Sequence, residues 1–300
     1  MALPDNHPNC RLKFWGVRGS IPAPGPSTAF IGGNTSCIEV RADGEIIVLD
    51  AGTGIRLLGR SLAEEFQGSP LNLSLLISHT HWDHIQGFPF FAPAYQKQNH
   101  LRIIGAEESG RHLAAILEAQ MHSAYFPIAM EQLPGNVVFE DLQKGGFSVG
   151  PIRVRAFRCN HPGMTVGYRL DTSAGSIAYI PDNESFHHPH QSEEPPEVRE
   201  AAFLEFIHGV DILLLDSQYE ESEFPEHRGW GHGCLEEVVE LAIKAEARRL
   251  FLFHHDPDHD DARIASFVQT AWRIANEAGS PIIIDAAREG MEVPIGSDAE

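Results

Sequence analysis

Four residues able to bind a metal, His79, His81, Asp83 and His84, fall together in the stretch LLISHTHWDHIQG, residues 75–87, directly after an apolar run. Imidazoles with a carboxylate form a donor set for zinc, and for iron or manganese as the carboxylate share rises. In extended chain alternate side chains face one side, so His79 and His81 can point into one site. Asp83 and His84 then need a turn to reach a neighbouring position. The bland alternative is a His-rich solvated loop. The buried-strand character of LSLLIS before the cluster and Gly87 after it argue against that alternative.

Such a cluster must be held at the edge of a packed core, and the chain supplies the elements. Short apolar runs recur at 11–17, 37–41, 46–50, 73–78, 101–104, 152–158, 165–170, 176–180, 211–215, 249–253 and 281–284. Several are rich in Ile, Val and Phe and are bounded by Gly, Pro or Asp, which predicts strands. Helical spacing is found over 54–66, 108–121, 234–247 and 260–278, the last with Asp260 or Asp261 as N-cap. Strands in both halves, each followed by helices, predict two packed sheets with helices outside. The segments 88–100 and 183–199 read as surface insertions, too small to fold alone, so residues 1–300 are expected to form one domain.

Lys and Arg total 22 against 42 Asp and Glu, a formal net charge of -20. That balance disfavours a long nucleic acid as partner, while a small anion remains compatible because bound metal can dominate the local field. The N-terminal MALPDNHPNC has no apolar export region, and no run approaches the roughly 18 apolar residues of a membrane span. Cys10, Cys37, Cys159 and Cys234 are scattered without a C-x-x-C pair, which predicts reduced thiols in a cytoplasm and no membrane partner.

His79-Thr80-His81-Trp82-Asp83-His84 resembles the signature of the metallo-β-lactamase superfamily, and LDAGTGI, residues 49–55, resembles its early strand–turn motif. The resemblance implies an α+β fold of αββα type, a four-layer sandwich of two mixed sheets flanked by helices. It also implies one or two metals at the sheet edge and three further ligands in order, a His, an Asp and a His, each beside a strand. CNHPGMTVGYRL offers His161, SIAYIPDNE offers Asp182, and RRLFLFHH offers His254, with His255 beside it able to exchange roles. The implied site puts His79, His81 and His161 on one ion, Asp83, His84 and His254 on the other, and Asp182 between them. The ions would be two divalent metals, zinc first, with manganese or iron as alternatives. In this family's motif the Asp matching Asp50 is a supporting residue.

TVGYRL, AYIPD, GVDILLLDSQY and GWGHGCLEEVVELA are similar to the ribonuclease Z and cyclic-nucleotide phosphodiesterase-like branch, as are FWGVRGSIPAPGPS and GGNTSCIEV near the N-terminus. The resemblance implies that Asp216 and His232 protonate the leaving oxygen, although the family more often has Glu where Asp216 stands. It assigns Asp83 the further role of orienting the nucleophile. Ribonuclease Z carries a long basic arm, usually between its His and Asp motifs, and only a short stretch joins His161 to Asp182 here. The expected activity is therefore a dinuclear metal-dependent hydrolase of a small phosphodiester, such as a cyclic nucleotide. The alternatives are a ribonuclease Z-like RNA endonuclease, or a lactone or thioester hydrolase on the same fold. A homodimer is compatible with this branch.

Further residues carry weaker expectations. Arg18, Ser20, Asn34, Thr35 and Ser36 sit on loops that could reach the centre. Asp256, His259 and Asp260 could support ligand imidazoles. His187, His188 and His190 read best as a solvated loop, and Trp82 and Trp230 as pocket wall able to stack on a base.

Overall fold

In the computed structural model, which describes residues 10–106, 112–142, 145–188, 190 and 194–296, the apolar runs become the strands of two sheets. The first holds β1 (Arg11–Gly16), β2 (Cys37–Ala42), β3 (Glu45–Leu49), β4 (Asn72–Ile77), β5 (His100–Gly105) and β6 (Asn136–Asp141). The second holds β7 (Phe147–Val149), β8 (Ile152–Arg158), β9 (Val166–Asp171), β10 (Ser176–Ile180), β11 (Ile212–Asp216), β12 (Arg249–Phe253) and β13 (Ile283–Ala286). A last strand, β14 (Glu292–Pro294), returns to the first sheet beside β1. The helices are α1 (Ile55–Phe66), α2 (Trp82–Ile85), α3 (Leu113–Gln120), α4 (Pro196–Ile207), α5 (Phe224–His227), α6 (Leu235–Lys244) and α7 (Asp261–Glu277).

Each sheet is mixed, with seven strands among the described residues. Pairing is antiparallel through β14, β1, β2 and β3, then parallel through β4, β5 and β6. The second sheet repeats the scheme, antiparallel from β7 to β10 and parallel from β10 to β13.

Side-chain alternation explains the layers. In β3, Ile47 and Leu49 join the core shared by both sheets, while Ile46 and Val48 join a second core with Ile55, Leu58 and Leu62 of α1 and Leu113 and Leu117 of α3. The sheets meet where the Phe14 ring lies 5.5 Å from that of Phe251. On the second sheet, α7 buries Ile264, Phe267, Val268, Ala271 and Ala275, one stripe at helical spacing, and its predicted cap is Asp260, whose carboxylate accepts from the Arg263 N–H at 2.7 Å. The chain thus adopts the αββα layering of two mixed sheets flanked by helices.

Some expectations shift. The predicted helix over 108–121 is seen as Leu113–Gln120, and its start at 108–111 lies outside the described residues. The segment 88–100, read as a surface insertion, packs inward through Phe88, Phe91 and Ala94, because α1 and the first sheet leave an apolar face for it to cover. Of 183–199, Asn183, Glu184, Ser185 and Phe186 are buried and α4 begins at Pro196, while 189 and 191–193 lie outside the described residues. All four cysteines are free, and among the described residues no helix is long and apolar enough to cross a membrane.

The parallel strands gather polar side chains at one place. Strands β4, β10, β11 and β12 release the chain toward one edge of the sandwich, just before His79, Asp182, Ser217 and His254 respectively.

Candidate metal centre

The site is built outward from Asp50, which follows β3 with a left-handed φ of 61° and is fully buried. Its carboxylate accepts from the Ser78 N–H, the Ser78 hydroxyl and the Tyr179 hydroxyl, each at 2.7 Å, and faces His84 Nδ1 at the same distance. Because Asp50 can only accept, His84 carries its proton on Nδ1, leaving the Nε2 lone pair free. Ser78 spends its own proton on Asp50, so its oxygen accepts from His79 Nδ1 at 3.1 Å. Two more rings are held in the same way. His161 Nδ1 donates to the Gly231 carbonyl at 2.9 Å, and His254 Nδ1 faces Gln218 Oε1 at 3.1 Å. Four imidazoles are thereby held with one nitrogen committed outward and Nε2 turned inward.

Those inward atoms converge. One donor atom from each of His79, His81, His161 and Asp182 lies within 4.8 Å of the others, and Asp83, His84 and His254 form a second such group. His161 Nε2 stands 3.2 Å from His81 Nδ1, and His84 Nε2 stands 3.3 Å from His254 Nε2. Asp182 joins the groups, with Oδ1 3.1 Å from His84 Nε2 and Oδ2 3.6 Å from His79 Nε2. Acceptors therefore face acceptors across the centre. Nε2 of His79 and Oδ1 of Asp182 are buried with no hydrogen-bond partner among the described residues. Buried polar atoms are rarely left so, and a divalent cation satisfies all of them at once. The donor set fits metal.

Charge tells the same story. Burial pushes His79 well below the usual histidine range and His161 down to about 3, so both rings are neutral donors. Burial also opposes charge on His84, yet Asp83, Asp182 and Asp50 hold its pKa well above the ordinary value, so without a cation a proton on Nε2 takes the place that a metal would fill. Against their own burial, Asp83 and Asp182 are kept well below the carboxylate range by the imidazoles around them. The centre stabilises positive charge.

His232 lies at the wall of the same open cleft of about 470 Å³, with Ser20, His81, Trp82, Asp83 and Asp182. Its Nδ1 is 3.1 Å from Asp216 Oδ2, so the Asp arm, although shorter than Glu, reaches. Asp216 is fully buried and also accepts from the Gln218 N–H at 3.1 Å and the Asn183 N–H at 3.2 Å. Burial works against a charged His232, but Asp216, then Asp182 and Asp83, outweigh it and raise its pKa to about 9.

The structure thus brings together His79, His81, Asp83, His84, His161, Asp182 and His254, with Asp216 and His232 adjoining. His255 points away, Nε2 donating to the Ala287 carbonyl at 3.0 Å. Arg18 is wholly buried, its guanidinium donating to the Gly32, Asp256 and His259 carbonyls. Asn34 binds Glu289 and Thr35 binds the Thr53 N–H rather than the cleft. Ser20 reaches the site through its backbone, whose N–H donates to Asp83 Oδ2 at 2.8 Å. Asp256 acts at one remove by accepting from Gln218 Nε2 at 2.9 Å, whereas His259 pairs with Glu223 and Asp260 caps α7. Trp82 and Trp230 are 79% and 58% exposed. Sequence reasoning missed Gln218 and Glu184. The available signal was a polar side chain placed directly after an apolar strand, in LLLDSQY and AYIPDNE.

Comparison with known proteins places this geometry. The profile of the Beta-lactamase superfamily domain matches residues 46–255. Ribonuclease Z of Thermoplasma acidophilum is 20% identical over 292 residues, covering 85% of this chain and 89% of that protein. The metallo-beta-lactamase fold protein YhfI from Bacillus subtilis superposes with a TM-score of 0.67 at 18% identity, over 94% of this chain and 98% of that one. The short form of human tRNase Z superposes with a TM-score of 0.63 at 16% identity, over 96% and 100%. At such identities the structural likenesses speak for the fold.

These relatives correct one expectation. A long nucleic acid was disfavoured as partner on a net charge of -20, yet proteins named ribonuclease Z match across most of the chain. The physical error is one of scale. Net charge sums the whole surface, whereas a polyanion at the cleft meets the local field, which divalent ions on this donor set would reverse.

Proposed function

The chain belongs to the metallo-β-lactamase superfamily of hydrolases, and from that premise we propose that it hydrolyses phosphodiester bonds in RNA in the manner of a ribonuclease Z. The site would take two divalent ions, zinc first and manganese or iron as alternatives, with His79, His81 and His161 placed to hold one, Asp83, His84 and His254 the other, and Asp182 within reach of both groups. When bound, the pair supplies positive charge against the phosphate oxygens and acidifies water.

The chain's own groups do the rest. Asp83, fixed by the Ser20 N–H at 2.8 Å, orients the nucleophile from the cleft wall. His232 gives its proton to the departing oxygen, and Asp216 at 3.1 Å keeps the imidazole charged and correctly turned. This pair is the observation that carries the reading, because a departing alkoxide needs a proton and Asp216, 3.1 Å from His232 Nδ1, favours the protonated ring.

A small diester such as a cyclic nucleotide is the second reading. It is favoured by the tight turn between β9 and β10, closed by the Thr172 N–H on the Gly175 carbonyl, which leaves no arm between His161 and Asp182. A panel separates the readings: tRNA transcripts extended at one end, single-stranded RNA, cyclic nucleotides, bis-p-nitrophenyl phosphate and lactones, with zinc-, manganese- and iron-loaded protein. The expected result is RNA cleavage lost on chelation and in His232→Ala. Turnover of cyclic nucleotides without RNA cleavage selects the second reading, and turnover of lactones alone overturns both.

A further inference from the structure

A carboxylate outside the ligand set occupies a place that only positioning explains. Glu184 lies two residues after Asp182 and is fully buried. A carboxyl group in such a place is strongly unfavourable unless both its oxygens are hydrogen-bonded. Here they are. Glu184 accepts from the Gly229 N–H at 2.9 and 3.1 Å, from the Gly231 N–H at 2.9 Å, and pairs with His190 Nε2 at 2.9 Å.

The loop so gripped touches the centre at two points. The Gly231 carbonyl is the acceptor that fixes His161 Nδ1 at 2.9 Å, and the next residue in the chain is His232. Gly231 has φ +93°, and a Cβ built there would sit 2.1 Å from His161 Nδ1, so the backbone passes directly against the ring. From the other side, the Glu184 N–H donates to the Asn160 carbonyl at 2.9 Å, and Asn160 precedes His161. One residue therefore ties together the loops that bear Asp182, His161 and His232.

We propose that Glu184 is a positioning residue that sets both His161 and His232 through the 229–231 loop. The proposal rests on the two-metal reading above. It also gives the His-rich segment a role, since His190 serves the carboxylate and not a metal of its own.

The test uses zinc alone, without substrate, so that its failure is distinct from a failure of the RNA reading. Zinc affinity of the metal-free protein is measured by chelator competition for wild type, Glu184→Gln, His161→Ala and the double variant. An amide at 184 can keep its oxygen on the Gly231 N–H only by turning its NH2 toward the Gly229 N–H, which loosens the grip on that loop. Glu184→Gln is expected to weaken the ion held by His161 about 10- to 100-fold, with the Asp83, His84 and His254 ion retained. The double variant is expected to bind no more weakly than His161→Ala alone. Wild-type zinc affinity in Glu184→Gln, or losses that multiply in the double variant, would overturn the proposal. His190→Ala leaves the loop contacts intact and is expected to stay within about threefold of wild type. A loss as large as that of Glu184→Gln would show that the effect does not run through the Gly229 and Gly231 contacts, and would likewise refute the proposal. If Glu184→Gln does not fold, Glu184→Asp, which retracts the carboxyl group by one methylene, is measured against the same criterion.

Discussion

Nε2 of His84 and Nε2 of His254, 170 positions apart, face each other at 3.3 Å with Asp83 Oδ2 3.1 Å from both. The outward nitrogens of both rings are already engaged, by Asp50 and Gln218. The gap is a place for positive charge. Removing metal is therefore expected to lower thermal stability, and zinc to restore it. At free zinc 100-fold above its dissociation constant the gain is about 2.7 kcal/mol. Calorimetry with chelator and with zinc measures this, and identical midpoints would count against a metal in the site.

His232 is expected to matter in proportion to the leaving group. With an RNA substrate, His232→Ala lowers kcat by about 10²–10⁴-fold. With bis-p-nitrophenyl phosphate, whose leaving phenolate needs no proton, the loss is much smaller. Equal losses on both substrates would remove His232 from the role of acid.

The pH profile follows from the same pair. Asp216 raises His232 to about 9, against burial, so the proton donor is present below that value and is lost as pH rises through it. Activity should fall on the alkaline side at or below about 9, since cations on Asp83 and Asp182 withdraw part of their contribution. Asp216→Asn removes the partner while burial stays, so the alkaline limb moves to lower pH. An unmoved limb would show that another group sets it.

Gly231→Ala tests the contact behind His161. Its Cβ would lie 2.1 Å from Nδ1 at a φ of +93°, so the ring or the loop must move. The variant is expected to lose zinc affinity and activity together while keeping its circular dichroism. Full zinc affinity would mean that the loop yields freely.

Asp50 is expected to act on stability before chemistry. Asp50→Ala leaves the Ser78 hydroxyl and N–H and the Tyr179 hydroxyl buried without their acceptor. Each such group costs about 1–3 kcal/mol. Urea unfolding of the metal-free protein should show a loss of at least about 3 kcal/mol, and a change under about 1 kcal/mol would contradict the network.

Much of this molecule is written locally. The His79–His84 cluster and its placement after an apolar strand could be read along the chain, because strand ends and alternation are short-range properties, whereas His161, Asp182 and His254 were reached through the family resemblance that the cluster carries. Net charge misled about nucleic acid because it is a sum that carries no position. What the tertiary structure decided were contacts between loops far apart in sequence. Glu184 meets Gly229 across 45 positions, Gln218 meets His254 across 36, and Ser20 meets Asp83 across 63. The choice between His254 and His255 shows why. After β12, alternation gives no preference that a sequence can display, but His254 takes φ 60°, which aims its ring at Asp83 and sends His255 to the Ala287 carbonyl. A left-handed residue of that kind is imposed by the packing around it, and no neighbouring residue announces it.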